Sequence, residues 1–184
     1  MTGLLSIPAG VSAIQIEDQE FPKKCGHTPG RRVIPAEDMA DKIRVASDSR
    51  SSENFLIIAR TDSRTSLGLE EALRRAEIYA DAGADVLFVE SPESVEELEL
   101  VAQRCSKPLL ANMVSGGKTP ILPTDQLAKI GYSIAIHPGL GFLSAAQALH
   151  TAYSELLKDG NVENAPLHDF NEFCSVLGFE EIWD

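Results

Sequence analysis

The segment Lys23-Lys24-Cys25-Gly26-His27 sets a thiol between two lysines and an imidazole. Neighbouring positive charge lowers a thiol pKa and raises its reactivity, so Cys25 is a candidate proton donor or nucleophile. An exposed, inert thiol beside solvated lysines fits the same residues equally well. A Cys25/His27 metal pair fits less well, because two ligands at that spacing lack partners elsewhere. A second set of groups lies at the ends of short apolar runs, namely Glu17, Arg60, Glu90, Asn112 and His137. Polar and charged groups at the ends of successive apolar runs are candidates for one shared site. The same charges would also serve as a structural ring of ion pairs.

Alternating elements position these groups. The apolar runs are Ser12–Ile16, Phe55–Ala59, Val86–Val89, Pro108–Ala111 and Ser133–Ile136. Amphipathic stretches lie between them. Pro35 stands at the first position of a helix carrying Met39, Ile43 and Ala46. Leu69, Ala72, Leu73, Ala76 and Ala80 mark one face of the next, which Gly83 ends. A third surrounds Val95, Leu98 and Val101, and Thr124 caps a fourth that ends near Gly131. Two more are predicted over 142–157 and 167–177. Uniformly apolar strands indicate a parallel sheet covered on both faces. Polar groups at every strand end favour a (β/α)-barrel over a doubly wound sheet, whose site would gather at one switch point. A complete barrel uses at least ~200 residues, against 184 and five strands here. The expected fold is therefore a partial (β/α)8 barrel, about its last five βα units, truncated at the N-terminus, plus a C-terminal helix. The expected domains are 1–160 for the barrel and 161–184 for the terminal helical segment.

Composition narrows the function. Asp plus Glu number 28 against 16 Lys plus Arg, a formal charge of −12, with 43% hydrophobic residues. Scattered positive residues at that balance argue against nucleic-acid binding. No apolar run reaches the ~20 residues of a membrane helix, and no basic-then-apolar leader opens the chain. A cytoplasmic protein is expected. Cys25, Cys105 and Cys174 are too few and too irregular for a disulfide framework or a four-ligand zinc site. Cys105 and Cys174 read as small buried hydrophobes.

Four motifs in order carry a resemblance. Ala13-Ile14-Gln15-Ile16-Glu17-Asp18-Gln19 with Lys23-Lys24-Cys25-Gly26-His27, then Ala59-Arg60-Thr61-Asp62, Phe88-Val89-Glu90, and Leu110-Ala111-Asn112-Met113 through Gly116-Gly117-Lys118-Thr119-Pro120 resemble the isocitrate lyase/phosphoenolpyruvate mutase superfamily. The cysteine loop is similar to that of its carbon–carbon lyases, such as 2-methylisocitrate lyase and dimethylmalate lyase. The resemblance implies Mg²⁺-dependent cleavage of a 2-hydroxy di- or tricarboxylic acid, with Mn²⁺ as the alternative metal. It implies that Cys25 donates the proton and that Lys23, His27 and Arg60 serve catalysis. Gly26, Glu90 and Asn112 would bind substrate, and Glu17 would face the metal, with Glu90, through water. An oxaloacetate decarboxylase or phosphonate mutase on the same scaffold, and a non-catalytic fragment, are the competing readings.

Departures from the pattern qualify what is implied. The family's Asp-x-Asp metal segment lies on a strand before Gly10 and has no counterpart here, so weak metal binding and impaired turnover by this chain are expected. Ser115 stands where many relatives carry an acidic residue. Gly139-Leu140-Gly141 reads as a packing turn more readily than as a phosphate site. Phe170, Phe173, Leu177, Phe179 and Trp183 form an apolar face that docks within the chain or on another subunit. Relatives exchange such a helix, so a homo-oligomer is expected.

Overall fold

The computed structural model describes residues 10–25 and 30–182. Gly26, His27 and Trp183 lie outside the described residues. Two compact units divide the chain, Met1–Pro138 and Gly139–Asp184.

The first unit is a five-stranded parallel sheet in the order β1-β2-β3-β4-β5. Its strands are β1 (Ala13–Glu17), β2 (Leu56–Thr61), β3 (Val86–Val89), β4 (Leu109–Asn112) and β5 (Tyr132–Ile136). The helices between them are α1 (Ala36–Ser49), a single turn α2 (Arg64–Leu67), α3 (Leu69–Asp81), α4 (Val95–Arg104) and α5 (Thr124–Ile130). A strand order identical to chain order has no switch point. Crossovers that all step the same way with one hand lay every helix on the same face, which is the arc of a (β/α)-barrel.

Burial follows that geometry. Ile57 and Ala59 of β2, Leu87 and Val89 of β3, and Leu109 and Ala111 of β4 pack beneath Met39 and Ile43 of α1, Leu73 and Tyr79 of α3 and Leu98 of α4. The alternate residues Ile58, Val86, Phe88, Leu110 and Ile136 form a separate cluster on the other, inward face. Side chains alternate across a strand, so the inward set continues from Ile58 to Arg60, from Phe88 to Glu90 and from Leu110 to Asn112.

Local chemistry explains the helix limits. In α3 the buried Ala72, Leu73, Ala76, Tyr79 and Ala80 keep helical spacing, and Glu70 and Glu71 oppose the positive end of the dipole. Gly83 turns the chain at φ 108°, and a Cβ there would come within 2.8 Å of Ser47 Oγ, so no side chain fits. Ser94 caps α4 by accepting the Glu97 N–H at 3.2 Å. Two helix starts in this unit differ from expectation. Pro35 and Pro123 are themselves the residues before α1 and α5, with extended ψ, so Thr124 is the first helical residue and not the cap. The turn α2 is too short to show any periodicity.

The second unit holds α6 (Leu140–Asp159), α7 (Phe170–Val176) and a 3₁₀ turn at Phe179–Glu181. The terminal helix starts at Phe170 and not at 167, because the Asp169 carboxylate accepts the Glu172 N–H at 2.9 Å and fixes the cap. Cys174 is buried, and Phe170, Phe173 and Leu177 are exposed. No helix among the described residues is long and apolar enough to cross a membrane.

Candidate active site

Register brings the predicted groups together. Glu17 pairs with Arg60 across β1 and β2, and Arg60 pairs with Phe88 across β2 and β3. Glu90 follows two residues after Phe88. The Arg60 guanidinium lies 4.9 Å from the centre of the Phe88 ring, a cation–π contact that fixes its plane. Its Nε is 3.5 Å from Glu17 Oε2, and its Nη2 is 3.4 Å from Glu90 Oε2. Asn112 Nδ2 donates to both Glu90 oxygens at 3.4 and 3.3 Å. Four strand tips thus share one inward patch centred on Arg60. His137, at the fifth tip, is exposed and makes no described contact with that patch.

Arg60 is gripped most tightly by a residue that the strand-tip rule passes over. Its Nε and Nη2 donate to Asp62 Oδ2 and Oδ1, each at 2.9 Å. Burial alone would lower the arginine's pKa; the carboxylates of Asp62, Glu90 and Glu17 overcome it and hold Arg60 above its ordinary value. The cation is therefore permanent. Glu90 is fully buried and also accepts the Ser91 hydroxyl at 3.2 Å. Ser91 sits at φ 62°, a left-handed conformation that is uncommon for a residue with a side chain and that turns the chain directly after Glu90.

The cysteine loop is rooted beside this patch. Gln19 and Val33 form an isolated antiparallel bridge at its neck. The Glu20 N–H donates to Arg32 O at 2.9 Å and the Ile34 N–H to Asp18 O at 2.8 Å. Gln19 braces the outgoing strand of the loop, accepting the Lys24 N–H at 2.8 Å and donating to Lys24 O at 3.0 Å. Lys23 Nζ is 3.1 Å from Glu17 Oε1, which ties the loop to β1. Cys25 is exposed.

Asn112 shows what the patch lacks. Its Oδ1 is buried and has no hydrogen-bond partner among the described residues. Turning the amide over would face that oxygen against the Glu90 carboxylate, so the assignment is fixed by its neighbours. A buried acceptor without a donor is costly, and a ligand hydroxyl or a water would satisfy it.

The same groups are poorly suited to hold a metal ion. Among the described residues no three His, Cys, Asp or Glu side chains are arranged to hold a metal ion. Lys23, Arg31 and Arg60 also balance Glu17, Asp62 and Glu90 charge for charge within their ion pairs. Mg²⁺ favours sites rich in uncompensated oxygen charge. The described residues do not form such a site.

A cavity of about 1140 Å³ runs along the outer edge of β1 beside α1, between Ile14, Ile16, Val45 and Phe55. Of the candidate site, Glu17 and Lys23 border it, with Gln19 of the loop neck. It is an apolar groove beside an edge strand, and the chemistry lies on the inward face.

Residues 5–157 match the phosphoenolpyruvate phosphomutase family. The chain belongs to the phosphoenolpyruvate mutase/isocitrate lyase superfamily. It is 42% identical over 176 residues to the 2,3-dimethylmalate lyase of Eubacterium barkeri, covering 95% of this chain and 61% of that protein. It is 42% identical over 175 residues to the 2-methylisocitrate lyase of Aeropyrum pernix, covering 94% and 56%. The chain thus spans about three-fifths of the length of these relatives. Among solved structures, an oxaloacetate acetylhydrolase bound to the inhibitor 3,3-difluorooxalacetate superimposes with a TM-score of 0.91 at 29% identity, over 99% of this chain and 62% of that one. A phosphonopyruvate hydrolase in complex with oxalate and Mg²⁺ superimposes at 0.79 and 25% identity, over 98% and 63%. Superfamily relatives are therefore lyases, hydrolases and mutases on this scaffold, and small carboxylic acids are bound in two of these structures.

Proposed function

We propose that this chain carries the carboxylate-binding wall and the acid loop of a carbon–carbon lyase. Its substrate would be a 2-hydroxy di- or tricarboxylic acid of the 2-methylisocitrate, isocitrate or dimethylmalate type. The observation that carries the reading is the convergence of Glu17, Arg60, Glu90 and Asn112 on one inward patch, with the root of the Cys25 loop tied to it through Lys23. Arg60 is a permanent cation placed where a carboxylate gains charge. Asn112 Oδ1 is an acceptor that a substrate hydroxyl would satisfy. As the bond between the hydroxyl-bearing carbon and its neighbour breaks, the hydroxyl gives its proton to solvent water and becomes the carbonyl of an α-keto acid, and a solvent proton later restores the thiol that Cys25 spends. The electron pair remains on the carbon next to the departing carboxylate. Cys25 donates its proton to that carbon, and the net change is transfer of one hydrogen from oxygen to carbon. In this reading Lys23 and His27 orient the loop and bind substrate carboxylates, and Gly26 belongs to the substrate-binding set.

Mg²⁺, or Mn²⁺ in its stead, would polarise the substrate's hydroxyl oxygen when bound. The described residues do not fit it as a cage, so no step is assigned to it. Cytoplasmic location belongs to the same reading, as does homo-oligomeric assembly, which the exposed apolar residues Phe142, Tyr153 and Leu157 of α6 support.

The test is release of an α-keto acid from 2,3-dimethylmalate and 2-methylisocitrate, measured with the chain extended to its relatives' length and again with the 184-residue chain, which should be much slower. Cys25→Ser in the extended protein should abolish release while leaving oxalate binding intact. Oxaloacetate decarboxylation that survives Cys25→Ser, without any lyase turnover in the parent, would favour the decarboxylase reading. No turnover in either length would leave the non-catalytic one.

A further inference from the structure

Asp62 does more than hold Arg60. Its Oδ1 also accepts from Arg31 Nη1 at 2.5 Å, and neither side chain of that pair is meaningfully exposed, at 1% for Arg31 and 0% for Asp62. Arg31 stands on the returning strand of the cysteine loop, next to Arg32, whose carbonyl closes the neck. A single buried carboxylate thus holds the loop's return and the strand-tip arginine together. Arg31 Nη2 adds a hydrogen bond to Thr65 Oγ1, while its Nε is buried without an acceptor among the described residues. The backbone that carries Asp62 is pinned, because its N–H donates to the buried Asp18 carboxylate at 2.8 Å. Asp18 in turn accepts from Thr61 Oγ1, Tyr79 Oη and Arg75 Nη1.

We propose that Asp62 is a positioning residue that couples the Cys25 loop to Arg60, so that an anion docking on Arg60 is registered at the loop through Arg31. A carboxylate shared by two guanidiniums must redistribute its hydrogen bonds when either gains a new partner. Drawing Arg60 toward a ligand leaves Oδ1 more fully to Arg31 and tightens the loop neck. The coupling is independent of which acid the protein cleaves. Only its ligand arm rests on the reading of Arg60 as a carboxylate anchor.

The experiment is NMR on the 184-residue chain, following amide hydrogen exchange at Glu20 and Lys24 together with the side-chain Nε–H resonance of Arg60. Arg31→Met should speed exchange at Glu20 and Lys24 by about tenfold relative to β3 and shift the Arg60 resonance. Arg31→Lys, which restores the charge but not the fork, should lie between. If Arg31→Met unfolds the chain, Thr65→Val decides, with a smaller change of the same sign at both places. Faster loop exchange with an unmoved Arg60 resonance would overturn the proposal by making Arg31 a loop fastener alone, and no change at either place would overturn it outright. Saturating oxalate should slow Glu20 and Lys24 exchange in the parent and not in Arg31→Met. If oxalate fails to bind while the first arm holds, the carboxylate reading fails and the coupling stands.

Discussion

Replacing Asp18 by Asn removes one charge from a buried ionic group of the first unit. Asp18 is 0% exposed. Its carboxylate accepts from Thr61 Oγ1 at 2.7 Å, Asp62 N at 2.8 Å, Tyr79 Oη at 2.8 Å and Arg75 Nη1 at 3.0 Å. An asparagine offers one oxygen to these donors and turns its own N–H groups toward the rest. It also strands a guanidinium that is 6% exposed. Breaking a buried pair from one side costs about 3–5 kcal/mol. Glu71 still holds Arg75 Nε at 2.8 Å, which places the expected loss near the lower end, about 3 kcal/mol. With a urea m-value of about 2 kcal/mol per molar, the unfolding midpoint should fall by about 1.5 M. Adding Arg75→Met to Asp18→Asn removes the stranded charge, and the double variant should lose less than the two single losses combined. A midpoint shift below about 0.3 M, or strict additivity of the pair, would refute this account of the network.

Two further outcomes follow from charge. The Arg74 guanidinium hydrogen bond, opposed by partial burial and reinforced by Arg75, lowers the Glu71 carboxyl to about 2. Its unfolded pKa is near ~4.3. The folded value is the lower one, so this contribution is complete above about pH 4.3 and is lost as pH falls toward about 2. Glu71→Gln should flatten the stability decline between about pH 5 and about pH 3 in urea titrations; an unchanged slope would contradict it. Calorimetric titration of Mg²⁺ into the chain alone should give weak binding, because the arginines and Lys23 already neutralise the carboxylates of the patch. Tight binding would count against that charge balance.

The sheet and its polar tips were legible because four- to five-residue apolar runs end abruptly in charged or amide groups, and a parallel register then aligns those tips by itself. Glu17, Arg60, Glu90 and Asn112 could be gathered on that rule. Asp62 could not, since it lies two residues beyond Arg60, past the first polar residue at which the rule stops. Nor could Arg31, whose partner is 31 positions away in sequence and is brought near only by the return of the cysteine loop. The left-handed Ser91 carries no sequence signal, because glycine is the residue expected at positive φ. The helix limits at Pro35, Pro123 and Asp169 moved by a few residues where cap geometry, which periodicity does not encode, decided them.

The central claim is that Arg60 anchors a small carboxylate on the inward face, with Asn112 beside it. Titrating oxalate while recording the Arg60 Nε–H and Asn112 side-chain amide resonances tests it directly. Both should shift together along one saturable curve, and Arg60→Met should abolish the response at Asn112. Oxalate binding that leaves both resonances in place would contradict the account.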